Sequence, residues 1–143
     1  MSANIALIVS RFNQAITDKL LEGALDTLAG HGIPESQILQ YEVPGAYEIP
    51  LLAKVLLNKP EIVGVIALGA VIRGETAHFD YIAGESARGL MDVMLTTQKP
   101  IANGILTTEN EAQAWDRVGG AHGHKGAEAA DVLIEMIDLL SEV

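Results

Sequence analysis

Four short apolar runs, each followed by a stretch whose apolar residues recur at helical spacing, govern what this sequence can fold into. Ile5-Ala6-Leu7-Ile8-Val9 is continuous rather than alternating, the pattern of a strand buried on both faces. After it, Ile16, Leu20, Leu21, Ala24, Leu25 and Leu28 share one side of a helix that His31-Gly32 and Pro34 bring to an end. Ile38 to Val43 reads as a second strand, stopped by Pro44-Gly45. A helix follows through Leu51, Leu52, Val55 and Leu56 to Asn58-Lys59-Pro60. Ile62 to Leu68 is the third strand and the most apolar. A loop from Gly69 to His78 leads into a helix running to about Thr97, with Ala83, Ala87, Leu90, Met91 and Met94 on its inner face. Pro100 to Leu106 gives the fourth strand. Thr108-Glu109-Asn110-Glu111 has capping-box form and opens a short helix through Trp115. Gly119 to Gly126 is a glycine- and histidine-rich break, and an amphipathic helix from Ala127 to Leu140 closes the chain.

Strands that alternate with helices predict an α/β fold of three αβα layers. A four-stranded parallel sheet would carry helices on both faces, joined by right-handed crossovers in a flavodoxin-like arrangement. The 143 residues suit one domain spanning 1–143, which at this size buries roughly two-thirds of its unfolded surface. Cysteine is absent, which removes thiol catalysis, a zinc finger and a disulfide scaffold, and fits a reducing, cytoplasmic setting. Hydrophobic residues make up 49% of the chain but aromatic ones only 4%, and the mean hydropathy is +0.27. A membrane span does not explain this excess, because the longest apolar run, Ile62 to Ile72, falls well short of the ~20 residues a bilayer requires. Met1-Ser2-Ala3-Asn4 also lacks the basic region of a signal peptide. A doubly covered sheet and the flanks of an oligomer remain as destinations. With 19 acidic against 9 basic side chains the formal charge is −10, which argues against nucleic acid or an anionic membrane as partner.

In a parallel sheet of this kind, ligands sit beyond the carboxyl ends of the strands. The segments that follow the strands are richer in functional side chains than a connection needs: Ser10-Arg11-Phe12-Asn13, then Val43 to Glu48, then Gly69 to His78, then Thr107-Thr108-Glu109. The Gly69-x4-Gly74 spacing imitates a nucleotide-binding loop, but Glu75 stands where that motif needs lysine. What survives is a glycine turn which, with the Thr76 hydroxyl, faces a helix N-terminus: a site for one phosphate, or simply a cap. His78 can relay protons near neutral pH or be a solvated surface histidine. Phe12 can stack on a flat heterocycle or belong to the core. Glu48 can accept hydrogen bonds from a polyol or complement a helix dipole, and Arg117 can complete a phosphate site or end a helix. His122 and His124, without a carboxylate pattern around them, make a weak metal signal; His31 reads as a helix cap.

Taken in order, Arg11-Phe12-Asn13, Val43-Pro44-Gly45-Ala46-Tyr47-Glu48, Gly69 to His78, Gly104-Ile105-Leu106-Thr107-Thr108-Glu109, Arg117 and Lys125-Gly126-Ala127-Glu128-Ala129-Ala130 resemble the 6,7-dimethyl-8-ribityllumazine synthase family over nearly the whole chain. The resemblance implies the penultimate step of riboflavin synthesis. In that step 5-amino-6-(ribitylamino)uracil condenses with 3,4-dihydroxy-2-butanone 4-phosphate, with no metal and no organic cofactor. It further implies that Phe12 stacks on the pyrimidine ring, that Ala46, Tyr47 and Glu48 hold the ribityl chain, and that Ala70, Val71 and Ile72 line the ring site. Glu75 (through its backbone) and Thr76, with Arg117, would bind the phosphate, and His78 would be the proton donor and acceptor.

Family members form pentamers, some of them shells of pentamers, with sites between subunits, so Asn103 and Lys125 would reach the site from a neighbour. Riboflavin synthase is the macromolecular partner the resemblance suggests. Asn103 stands where many relatives have phenylalanine, and the N-terminus lacks the segment that in many relatives pairs with a neighbour's sheet. Two other classes of function fit the same motifs: a flavin- or lumazine-binding paralogue without turnover, and a structural assembly protein with a vestigial site.

Overall fold

A computed structural model of the chain describes residues 3–143; Met1 and Ser2, the start of the segment read as lacking a basic leader, lie outside them. The central sheet runs in the order β2-β1-β3-β4 and is parallel throughout. Its strands are β1 (Asn4–Ser10), β2 (Ile38–Val43), β3 (Ile62–Ile72) and β4 (Ile101–Thr108). The helices are α1 (Gln14–Gly30), α2 (Ile49–Leu57), α3 (His78–Thr97), α4 (Glu111–Trp115) and α5 (Lys125–Glu142).

Successive strand residues point to opposite faces, and the two cores follow that parity. Ile5, Leu7 and Val9 of β1, with Ile66 and Leu68 of β3, face α1 and α5 and meet Leu20, Leu28, Ala130 and Leu133. Ala6 and Ile8, with Val65 and Ala67, face α2 and α3 and meet Ile49, Ala53, Leu90 and Val93. Both sides of the sheet are therefore apolar, which is why the strand sequences do not alternate. Among the described residues no helix is long and apolar enough to cross a membrane.

Several boundaries differ from the sequence reading. β3 continues through Ile72, so Gly69 to Ile72 are strand and not loop; Gly69, Ala70, Val71 and Ile72 pair with Ile105, Leu106, Thr107 and Thr108 of β4. Gly69 marks a close approach instead, since a Cβ there would stand 2.8 Å from Ser10 Oγ. The cap of α4 lies at Asn110, two residues beyond the Thr108 box, where its side chain accepts from the Gln113 N–H at 2.9 Å. The glycine- and histidine-rich break contains a small antiparallel hairpin, β5 (Val118–Gly120) and β6 (Gly123–His124). Positive φ at Gly119 (107°) and Gly123 (79°) makes its turns, and α5 starts directly after it at Lys125. Ala87 and Met91 of α3 point outward, as do Leu51 and Val55 of α2; the buried stripe of α3 is Ser86, Leu90 and Val93.

One lysine closes the bottom of the sheet. Lys99 Nζ donates to the carbonyls of Leu57 (2.9 Å), Lys59 (2.9 Å) and Ile62 (2.7 Å), joining the open end of α2 to the start of β3. Lys99→Met keeps the stem and strands these acceptors. It should lower stability by about 1–3 kcal/mol, read as a lower urea midpoint with unchanged slope.

Candidate active site

At the carboxyl ends of β1, β2 and β3 the chain leaves a cavity of about 790 Å³. Past β1, Arg11 and Phe12 donate backbone hydrogen bonds to Val43 and Pro44 (2.8 and 3.2 Å), so the two loops are joined. Asn13 takes a left-handed conformation (φ 65°), which asparagine tolerates better than most residues. There its carbonyl accepts from Ile16 and Thr17, opening α1, while its Nδ2 donates to the Ala70 carbonyl at 2.9 Å. Phe12 is left 72% exposed over the cavity rather than in the core. Past β2, one turn of 3-10 helix over Ala46–Glu48 places Ala46 in the floor and Tyr47 and Glu48 in the wall. The end of β3 contributes Ala70, Val71 and Ile72, and the start of α3 contributes His78.

Of the residues singled out from the sequence, this cavity gathers Phe12, Ala46, Tyr47, Glu48, Ala70, Val71, Ile72, Thr76 and His78. It also takes in Phe79, Tyr81 and Ile82, which the sequence alone does not set apart from the rest of their helix. Tyr81 is 67% exposed, and an apolar ring left in water at the mouth of a cavity is the signal that marks it.

Four residues fall elsewhere. Glu75 is exposed and outside the lining. Asn103 is exposed on edge strand β4, where its Oδ1 accepts from the Ile105 N–H at 3.0 Å. Arg117 and Lys125 line a second cavity of about 290 Å³ with Thr107, Thr108, His122 and Glu128. Arg117 Nη1 is anchored on the Gln113 carbonyl at 2.8 Å, and the Lys125 N–H on the Arg117 carbonyl at 2.8 Å. Two cationic side chains, two hydroxyls and the N-terminus of α5 thus meet one carboxylate, a lining that suits a small dianion.

The glycine turn itself differs from the expectation. Neither Gly69 nor Gly74 has a positive φ, so no left-handed glycine shapes an anion nest there. What remains is the N-terminus of α3, with Thr76 Oγ1 3.4 Å from the His78 N–H. Arg73 stands behind this turn between Glu109 and Asp80, and these carboxylates, Glu109 foremost through its hydrogen bond, raise its guanidinium pKa above the ordinary value. His31 and His124 serve structure. The His31 backbone N–H caps α1 and its ring meets Asp131 at 2.8 Å, while His124 Nδ1 accepts from the Ala127 N–H and caps α5.

The cavity combines exposed aromatic faces, a polar loop with a carboxylate, an apolar strand floor and an imidazole. That set suits a flat heterocycle with a hydroxylated chain and a proton transfer beside it. Residues 2–141 match the model of the family described as 6,7-dimethyl-8-ribityllumazine synthase. Proteins of that name from two strains of Thermus thermophilus are each 50% identical over 139 residues, covering 97% of this chain and 88% of the relative. The chain therefore belongs to the 6,7-dimethyl-8-ribityllumazine synthase family.

Proposed function

We propose that the whole chain, 1–143, works as one lumazine synthase domain. It joins 5-amino-6-(ribitylamino)uracil to 3,4-dihydroxy-2-butanone 4-phosphate in the penultimate step of riboflavin biosynthesis. The observation that carries this reading is the convergence of Phe12, Glu48 and His78, from three separate post-strand segments, on one cavity. Phe12 stacks on the pyrimidine ring, with Ala70, Val71 and Ile72 beneath it. Ala46, Tyr47 and Glu48 hold the ribityl chain, the Glu48 carboxylate accepting from its hydroxyls. His78 moves protons as the amine attacks the ketone and a first water leaves, as phosphate is eliminated, and as the ribitylamino nitrogen closes the second ring onto the remaining carbonyl with loss of a second water. Each of these steps is redox-neutral, so proton transfer and orientation supply the catalysis, and orientation supplies the larger share.

The phosphate belongs with Arg117. That Arg117 and Lys125 line a different cavity from Thr76 and His78 supports a complete site formed between copies of the chain. One copy presents Phe12, Thr76, the Glu75 backbone and His78, and a neighbour presents Arg117, Lys125 and Asn103. The outward apolar residues Leu51 (74% exposed), Val55, Met91 and Leu95 (68%) are suited to being covered in such a homo-oligomer, a pentamer or a shell of pentamers. A cytoplasmic location fits the cysteine-free chain, and riboflavin synthase is the partner that would consume the product.

The test is lumazine formation from the two substrates, followed by its absorbance. Arg117→Ala should raise KM for the butanone phosphate roughly ten- to thirtyfold, the scale of one lost charge-assisted contact, and should leave KM for the pyrimidine nearly unchanged. Equal losses for both substrates would make Arg117 structural, and tight lumazine binding without turnover would sink the enzyme reading.

A further inference from the structure

The segment leading to His78 carries a guanidinium for which the proposed chemistry has no use. Arg73 follows the last residue of β3, and its backbone N–H donates to the Thr108 carbonyl at 2.9 Å, beside the final pairing of β3 with β4. From that fixed point the side chain spans two elements. Nε donates to Glu109, just past β4, and Nη2 lies 3.2 Å from Asp80 Oδ1 in the first turn of α3. The guanidinium also lies 4.4 Å from the centroid of the Phe79 ring. Phe79 lines the cavity and His78 directly precedes it.

The first turn of α3 needs such a hold. A helix N-terminus leaves its leading N–H groups without intrahelical partners and frays unless something caps it. Here the cap position is Ala77, which has no side chain to offer, and the Thr76 hydroxyl reaches the His78 N–H only at 3.4 Å. We infer that Arg73 is a positioning residue for His78. Its bonds to Glu109 and Asp80 and its stacking on Phe79 fix the first turn of α3 against the end of β4, and so set where the imidazole stands at the cavity. The planar fork of arginine suits two carboxylates and a ring face at once, which the point charge of lysine does not. Exposed ion pairs of this kind add little to stability, whereas a displacement of about 1 Å in a catalytic group can cost orders of magnitude in rate. The effect of Arg73 therefore falls on turnover rather than on folding.

This inference rests on the proposed role of His78, and a double-mutant cycle in the assembled enzyme keeps the two apart. Arg73→Met should lower kcat roughly tenfold, with both KM values and the thermal midpoint close to those of the parent chain. Arg73→Lys should recover only part of the rate. In a His78→Ala background, Arg73→Met should have almost no further effect, because the group it positions is gone. If Arg73→Met lowers kcat by the same factor with and without His78, Arg73 acts on the scaffold and the inference is overturned. An unchanged kcat in the parent background overturns it too. If His78→Ala alone leaves kcat unchanged, the reading of His78 falls first and takes this inference with it. Should Arg73→Met not fold, Glu109→Ala removes one arm of the clamp and must show the same dependence on His78 at smaller amplitude.

Discussion

Gly126→Ala should destabilise the protein by about 3 kcal/mol, at the upper end of what overpacking a core contact costs. Gly126 lies in the first turn of α5 where that helix crosses α1. A Cβ built on it would stand 2.1 Å from the Leu20 carbonyl oxygen, 2.9 Å from its carbonyl carbon and 3.0 Å from its Cα. All three are main-chain atoms, so no rotamer change relieves the clash. Neither helix is free to retreat, since Leu20, Ala24 and Leu28 pin α1 to the sheet and Ala130 and Leu133 pin α5. The helices must part, thinning the layer over β1 and β3 and moving the hairpin that follows Arg117. Urea unfolding would show a lower midpoint with an unchanged slope. Gly30→Ala makes the same chemical change at the end of α1, where nothing lies within 4 Å, and should leave the midpoint in place or raise it slightly. Equal midpoints for the two variants would mean that α1 and α5 do not cross as closely as this.

The sheet was legible in the sequence because burial on both faces leaves a strand no polar residue to place, and Ile5–Val9 and Ile62–Leu68 have none. The helices were legible as helices but not in their facing. Helix α3 carries apolar residues on more than one side, with Leu90 and Val93 inward and Met91 and Leu95 outward, so a 3.6-residue period fits more than one stripe. The same holds for Leu51 and Val55 beside the buried Ala53 and Leu56 of α2. By period alone, an outer face this apolar does not differ from an inner one. The end of β3 is hidden in the sequence because a glycine such as Gly69 resembles punctuation, while pairing with β4 carries the strand past it. In the site, residues in post-strand loops stood out because a connection has no packing reason to carry phenylalanine, glutamate and histidine. Phe79 and Tyr81 did not, since an aromatic residue inside a helix looks like core. The parting of Arg117 and Lys125 from Thr76 is a matter of three-dimensional placement, on which motif order is silent.

His78→Ala should lower kcat by about a hundredfold, the lower end of what one general acid–base group contributes, with both KM values moving far less. The imidazole lies in the lining of the cavity at the start of α3, and among the described residues no side-chain hydrogen bond or ion pair engages its ring nitrogens. A ring so placed can give a proton at one nitrogen and take one at the other. The condensation needs both: the carbinolamine must be protonated to lose water, and a carbon-bound proton must be removed to expel phosphate. Removing the ring leaves Phe12, Glu48 and Arg117 in place, so both substrates should still bind. The residual rate should not fall to zero, because holding the amine beside the ketone already supplies much of the acceleration. The vacancy left by the ring adds a sharper check, since free imidazole should restore part of kcat in His78→Ala and do nothing for Arg117→Ala. A proton-transfer role requires that asymmetry; a residue that merely shaped the cavity would show a raised KM for the pyrimidine and no response to added imidazole.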